Sequence, residues 1–149
     1  KKLVLQSVSV QQGDIPTIPA PLTMPQVLQQ CQTYYEKSFN SNQVPQNNLG
    51  INSGETLICQ VLGAAAAGQL IGTISYKTPK FRNAALITTY NPMANNGEVW
   101  DETLGVQCSA VALIQQSFNG FSLSTTTAGG SGAGNILGIH WTSNARLGF

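Results

Sequence analysis

The chain has 149 residues, 9% of them charged, and a net charge of +1 from seven Lys+Arg against six Asp+Glu. A typical domain is about 25% charged, yet hydrophobic content is an ordinary 42%, so the composition excludes a highly charged disordered chain and fits one folded domain. It also excludes an electrostatic nucleic-acid binder, which neutralises phosphates with clustered Lys and Arg.

In chain order, "LVLQSVSV" (Leu3–Val10) alternates apolar and polar residues, the period of a half-buried strand. "GDIPTIPAPLTMP" follows, and its prolines require an extended connector. Residues 1–22 therefore read as an N-terminal strand and Pro-rich connector, and 23–149 as the folded domain. The start has no signal-peptide cleavage pattern, and no run reaches the roughly 18 apolar residues of a membrane helix.

Thr23 precedes Gln26 by three residues, as in a capping box, and Pro25 suits a first helical turn. Leu28, Cys31, Tyr35 and Phe39 then recur at spacings of three, four and four. This predicts a helix over 24–38, with Cys31, Tyr35 and Phe39 inward and Glu36 and Lys37 at its margin.

After the polar loop 40–55, seven runs read as strands: "TLICQVLG", "QLIGTISYKT", "AALITTYNP", "GEVWDETLGV", "CSAVALIQQS", "GFSLSTTT" and "ILGIHWTSNARL". Turn signals separate them, and Asn119-Gly120 marks a hairpin. Many short strands with regular turns indicate a mainly β fold, an antiparallel β-sandwich of jelly-roll type with one short N-terminal helix.

Three widely spaced cysteines, Cys31, Cys59 and Cys108, make no Cys-x-x-Cys pair and read as free thiols acting as small apolar side chains. Lys77, Lys80 and Arg82 are the one internal basic group and read as a solvated strand end. The glycine-rich run Gly129–Gly134 lacks the Gly-Lys-Ser/Thr of a phosphate loop and reads as a flexible hairpin loop.

His140 is the sole histidine. No nucleophile elbow accompanies it, so it reads as packed and hydrogen-bonded beside Trp141 rather than as a base for Cys59 or Cys108. No metal or cofactor is expected, since one His with scattered Cys makes no ligand set.

The one acidic cluster is Glu98, Asp101 and Glu102. On a single strand Glu98 and Glu102 would share a face about 13 Å apart, beyond the roughly 5–9.5 Å of a glycosidase pair. Trp100, among Asn95, Asn96 and Asp101, suits sugar stacking and hydroxyl recognition; a core or subunit-interface tryptophan is the other reading.

Three segments carry a family resemblance. "CQTYYEKSF" (Cys31–Phe39) resembles a Cys-Gln-x-Tyr-Tyr-x-Lys-Ser segment near the start of C-terminal domains of tailed-bacteriophage tail fibres. "KFRNAALITTYNP" (Lys80–Pro92) is similar to a family strand ending in Tyr-x-Pro, with Arg82, Tyr90 and Pro92 in place. "GIHWTSNARL" (Gly138–Leu147) resembles the terminal strand, with His140, Thr142, Ala145 and Leu147 matching and Trp141 replacing a tyrosine. Ala84 and Ala85 stand where the family often has a proline, and Asn144 and Arg146 replace acidic residues.

The resemblance implies the receptor-binding domain at the tip of a virion tail fibre, made in the host cytoplasm. It implies a homotrimer joined to an upstream fibre shaft and bound to lipopolysaccharide, capsule sugar or an outer-membrane receptor. The expectation is non-covalent glycan binding without catalysis through Asn95, Asn96, Trp100 and Asp101, with Tyr90 and Arg82, and with neither nucleic-acid binding nor membrane insertion. "VLGAAAAG" (Val61–Gly68) is the expected close-packing segment of the trimer. A structural or decoration protein of the virion and a glycan-depolymerising tailspike-like enzyme are the alternatives.

Overall fold

The computed structural model describes residues 20–64 and 68–146. The expected strand Leu3–Val10, most of the Pro-rich connector and the alanines at 65–67 lie outside them.

Helix α1 spans Met24–Tyr34 and nine strands follow: β1 Tyr35–Lys37, β2 Leu57–Gln60, β3 Gln69–Ser75, β4 Leu86–Tyr90, β5 Trp100–Asp101, β6 Val106–Gln107, β7 Ser109–Gln116, β8 Gly120–Thr126 and β9 Ile136–Asn144. A 3-10 turn occupies Ile51–Ser53. All pairings are antiparallel and form two sheets, one of six strands centred on β9 and one of three in the order β3-β8-β7. The expected mainly β sandwich with one N-terminal helix is the observed architecture.

β9 is flanked along both edges. Asn144 pairs with Tyr35 and Leu86, whereas Gly138 pairs with Ile58 and Trp100. Between the sheets, Ile71, Ile74, Phe121 and Leu123 meet Val99, Leu137, Ile139 and Trp141. Phe121 packs edge-on against Trp141, with ring centroids 5.2 Å apart, an arrangement that aromatic quadrupoles favour.

Several expectations change. The helix stops at Tyr34 and the chain turns directly into β1. Tyr35 and Phe39 therefore leave the helical face; Phe39 is buried against His140, while Cys31 is exposed. The 3,4,4 spacing runs on past Tyr34, where pairing of residues 35–37 with β9 outweighs one more turn of a short helix.

Nor do Glu36 and Lys80 lie at solvated margins. Their side chains are 6% and 0% exposed and form an ion pair at 2.7 Å. Lys80 also donates to the Gln32 carbonyl at 2.6 Å and lies 4.4 Å from the Tyr76 ring centre. Glu36 accepts the Lys77 backbone N–H. These contacts satisfy both buried charges. Lys77 pairs with Glu55 at the surface, and Arg82 is exposed.

"GEVWDETLGV" is two strands, β5 and β6, because the chain reverses between Asp101 and Val106. The premise that Glu98 and Glu102 share one strand face therefore does not hold. The glycine-rich run 129–134 is not a hairpin, since it carries the chain from β8 in one sheet to β9 in the other. Ser131 is buried within it. The Asn119-Gly120 hairpin does join β7 to β8, and a Cβ at Gly120 would run into the Ile74 carbonyl.

Candidate functional site

The expected site residues divide between two ends of the large sheet. Trp100 and Asp101 pair with Gly138 and Leu137. Arg82 precedes Leu86, the partner of Asn144. Six residues along β9 correspond to about 20 Å, so Arg82 does not join the others. Tyr90 lies between, opposite His140, with its ring edge-on to Phe39 at 5.4 Å.

Asn96, Trp100 and Asp101 are brought together by the β5–β6 hairpin, with Asn95 at the exposed crest of the preceding turn. Asn91, fully buried, organises that turn. Its side-chain oxygen accepts from the Met93 and Ala94 N–H groups, and its amide donates to Asn96 Oδ1 at 2.9 Å. Asn96 in turn donates to Gln107 Oε1 at 2.6 Å. Gln107 is the cross-strand neighbour of Trp100, which is half-buried. The turn thus presents Asn95, Asn96, Gln107 and part of Trp100 as one amide and aromatic surface, with the half-buried Glu98, whose N–H donates to Asn96 Oδ1 at 3.1 Å, beside it.

Asp101 is not part of that surface, contrary to expectation. It is fully buried, and its carboxylate accepts from the Thr103 and Leu104 N–H groups, the Ser131 hydroxyl (2.7 Å) and the Asn135 amide (2.9 Å). Burial pushes its pKa up, but the hydrogen bonds from Asn135, Ser131, Leu104 and Thr103 outweigh that and hold the carboxyl below its ordinary range. No lone pair is left facing a ligand. Instead Asp101 fixes the 102–105 turn and the 128–135 crossing, which form the sandwich end remote from α1.

Beside it, burial and the neighbouring Asp101 charge push the Glu102 carboxyl up. Its Oε1 is buried without a hydrogen-bond partner among the described residues.

His140 is fully buried on β9. The Ser53 and Thr56 hydroxyls near its Nε2 donate to the Gly50 and Ile51 carbonyls, so both are left to accept. Nε2 also faces the Gly50 carbonyl at 3.2 Å. That environment assigns the proton to Nε2 and makes Nδ1 the acceptor of the Ser38 hydroxyl at 3.0 Å. Burial depresses the imidazole pKa, partly countered by Gly50. Ser38 is 3% exposed, so this serine–histidine contact has no open route to a substrate. It ties the 50–56 segment over the outer face of β9.

Cys59 and Cys108 sit at the core, and burial together with Cys108 pushes the Cys59 thiol to about 11. Among the described residues, no group of three or more His, Cys, Asp or Glu converges to hold a metal, and no helix is long and apolar enough to cross a membrane.

A cleft of about 440 Å³ lies on the small sheet, lined by Thr73, Ser75, Gln115, Ser122 and the β7–β8 turn. Its lining is uncharged, and the Thr73 and Ser122 hydroxyls are 2.9 Å apart. It was not foreseen in the sequence, because its residues come from three strands separated by up to about 50 positions.

Sequence reasoning also missed Gln107, Ser131 and Asn135. Ser131 and Asn135 are 30 and 34 residues from Asp101, and no local pattern marks such pairs. Gln107 had a local signal: Gly105 interrupts the apparent single strand and adopts a φ of 69°.

Comparisons with protein-family models, with curated proteins and with solved structures yield no match.

Proposed function

We propose that the chain is the distal domain of a tailed-bacteriophage tail fibre, a homotrimer that attaches the virion to the host surface by non-covalent glycan binding. The observation that carries this reading is the amide and aromatic surface of Asn95, Asn96, Gln107 and Trp100 at the sandwich end remote from α1. It is held by the buried Asn91 side chain and the Asn96–Gln107 hydrogen bond. Side-chain amides offer paired donors and acceptors to sugar hydroxyls, and the indole offers an apolar face to ring C–H groups. A prearranged surface keeps the ordering cost of each weak contact small.

A second circumstance supports the family reading. The three segments that carry the resemblance contain adjacent elements of one sheet, β1, β4 and β9, and are joined by Glu36–Lys80, Tyr34–Phe81 and Phe39–His140 contacts. They make one structural unit rather than scattered likenesses.

The test exposes the full chain to a panel of bacteria, to their purified lipopolysaccharides and capsules, and to phage particles lacking fibre tips. Binding to cells and to purified glycan without shortening of the polymer is expected. Asn95→Ala and Gln107→Ala should each weaken it by roughly tenfold without changing the melting temperature. Binding to particles alone would make this a decoration protein, and shortening of the glycan would make it a depolymerase; either result overturns the proposal.

A further inference from the structure

Among the described residues, helix α1 is attached to the domain through its last turn. Its last turn is held by the Lys80 ammonium on the Gln32 carbonyl, the Phe81 N–H on the Thr33 carbonyl, the Ala145 N–H on the Tyr34 carbonyl, and the Tyr34–Phe81 ring contact at 5.4 Å. None of its residues is buried. Yet the helix is amphipathic. Met24, Val27, Cys31 and Tyr34 follow one another at spacings of three, four and three, with Leu28 beside them, while Gln26, Gln29, Gln30 and Thr33 occupy the opposite side. At about 100° per residue the apolar set spans an arc of about 120°.

We infer that this stripe is the seam on which copies of the chain associate, with their α1 helices parallel and in register. Three observations select a second copy as the occupant. The 3-4-3 spacing is the a/d repeat by which helices pack knobs into holes against helices of the same kind. The helix "MPQVLQQCQTY" carries no charged side chain, so identical helices meet without the like-charge repulsion that would reject a parallel self-pairing and without the charges that would select a different partner. Finally, the stripe continues without a polar break from Met24, which is 81% exposed, through Leu28 and Tyr34 to Phe81, itself 51% exposed at the domain surface. Parallel alignment places the Tyr34–Phe81 ends of all copies side by side, whereas antiparallel alignment would leave each Phe81 uncovered. An isolated helix of this length is marginal in water, and packing against its copies supplies what its own domain does not.

The seam is independent of the glycan reading; of the other expected contact segment, Val61 packs into the chain's own core, and Leu62, Gly63 and Ala64 are exposed.

The experiment is light scattering and thiol oxidation on the full chain. An oligomer is expected at micromolar concentration, with a disulfide forming between Cys31 residues of different copies on mild oxidation and absent in Cys31→Ser. Val27→Glu should yield monomer with an unchanged near-ultraviolet circular dichroism spectrum. Met24→Glu, at the end farthest from the domain and unable to unfold it, should weaken association at least tenfold. A monomeric wild type, an oligomer that withstands both glutamates, or an oligomer in which Cys31 does not cross-link would overturn the inference. A monomer that still binds cells would refute the seam and leave glycan binding standing, while an oligomer that binds no glycan would do the reverse.

Discussion

The stretch Cys31–Phe39 crosses the boundary between two regions that obey opposite rules. On its N-terminal side α1 has an apolar stripe and buries nothing. On its C-terminal side Glu36, Ser38 and Phe39 are buried, two of them polar, because β1 lies against a central strand whose two faces are both covered. Hydrophobicity predicts burial poorly on both sides. The number of elements stacked around each residue decides it, and polar groups enter the interior where every donor and acceptor finds a partner.

The largest expected effect comes from breaking the Glu36–Lys80 pair. Lys80→Met should leave Glu36 buried and unpaired and cost about 3–5 kcal/mol, read as a lowered denaturant midpoint. Replacing both residues, by Glu36→Leu with Lys80→Met, should recover most of the loss. A single variant as stable as the parent would show that Glu36 reaches solvent.

Next in size is Asp101→Ala, which removes the acceptor for the Ser131, Asn135, Thr103 and Leu104 donors. A loss of about 2–3 kcal/mol is expected, since buried donors left unpaired carry their full desolvation cost. Hydrogen exchange should locate the disturbance at 102–105 and 128–135, with α1 unaffected.

Titration gives a smaller and directional effect. The His140 pKa is lower in the folded chain than in the unfolded one. The unfolded state therefore binds the proton more tightly, and stability falls as pH drops below about 6.5 toward the folded value. Asp101, also depressed, adds a loss only below about 4. Denaturant melts between pH 8 and 5 should show the first decline, and His140→Gln should flatten it. A wild-type curve that is level over this range would contradict the buried neutral imidazole.

The smallest effect is at the start of α1. The Thr23 backbone N–H and hydroxyl both donate to Gln26 Oε1, at 2.8 and 3.0 Å. Thr23→Ala should cost the helix about 1 kcal/mol or less and leave the melting temperature of the sandwich unchanged. A cooperative loss of the whole fold would mean that the helix and the sandwich are one unit.

Much of this was legible in order. Short strand-like runs bounded by turn residues identify β3, β4, β7, β8 and β9, because turn chemistry and run length are local to the chain. Thr23, Pro25 and Gln26 mark the start of α1 for an equally local reason. The end of α1 was not legible, since Tyr35 continues the helical spacing and only its pairing with Asn144 makes it a strand. The site was legible in part. Asn95, Asn96 and Trp100 are close in sequence and remain close in space, whereas Arg82 lies in a separate segment, one of those that carry the family resemblance.

The sequence by itself determined a charge-poor, mainly β domain with a capped N-terminal helix, since composition, periodicity and turn chemistry act over a few residues. Only the tertiary structure decided that Glu36 and Lys80 are buried together, that Asp101 holds a turn and a crossing loop instead of facing a ligand, and that His140 is a neutral cross-link. The ion pair, the hold on the crossing loop and the histidine–serine link each rest on partners at least 30 residues apart. A charged or titratable side chain carries no local mark of whether such partners will meet it, because its protonation and solvation are set by the groups that surround it after folding.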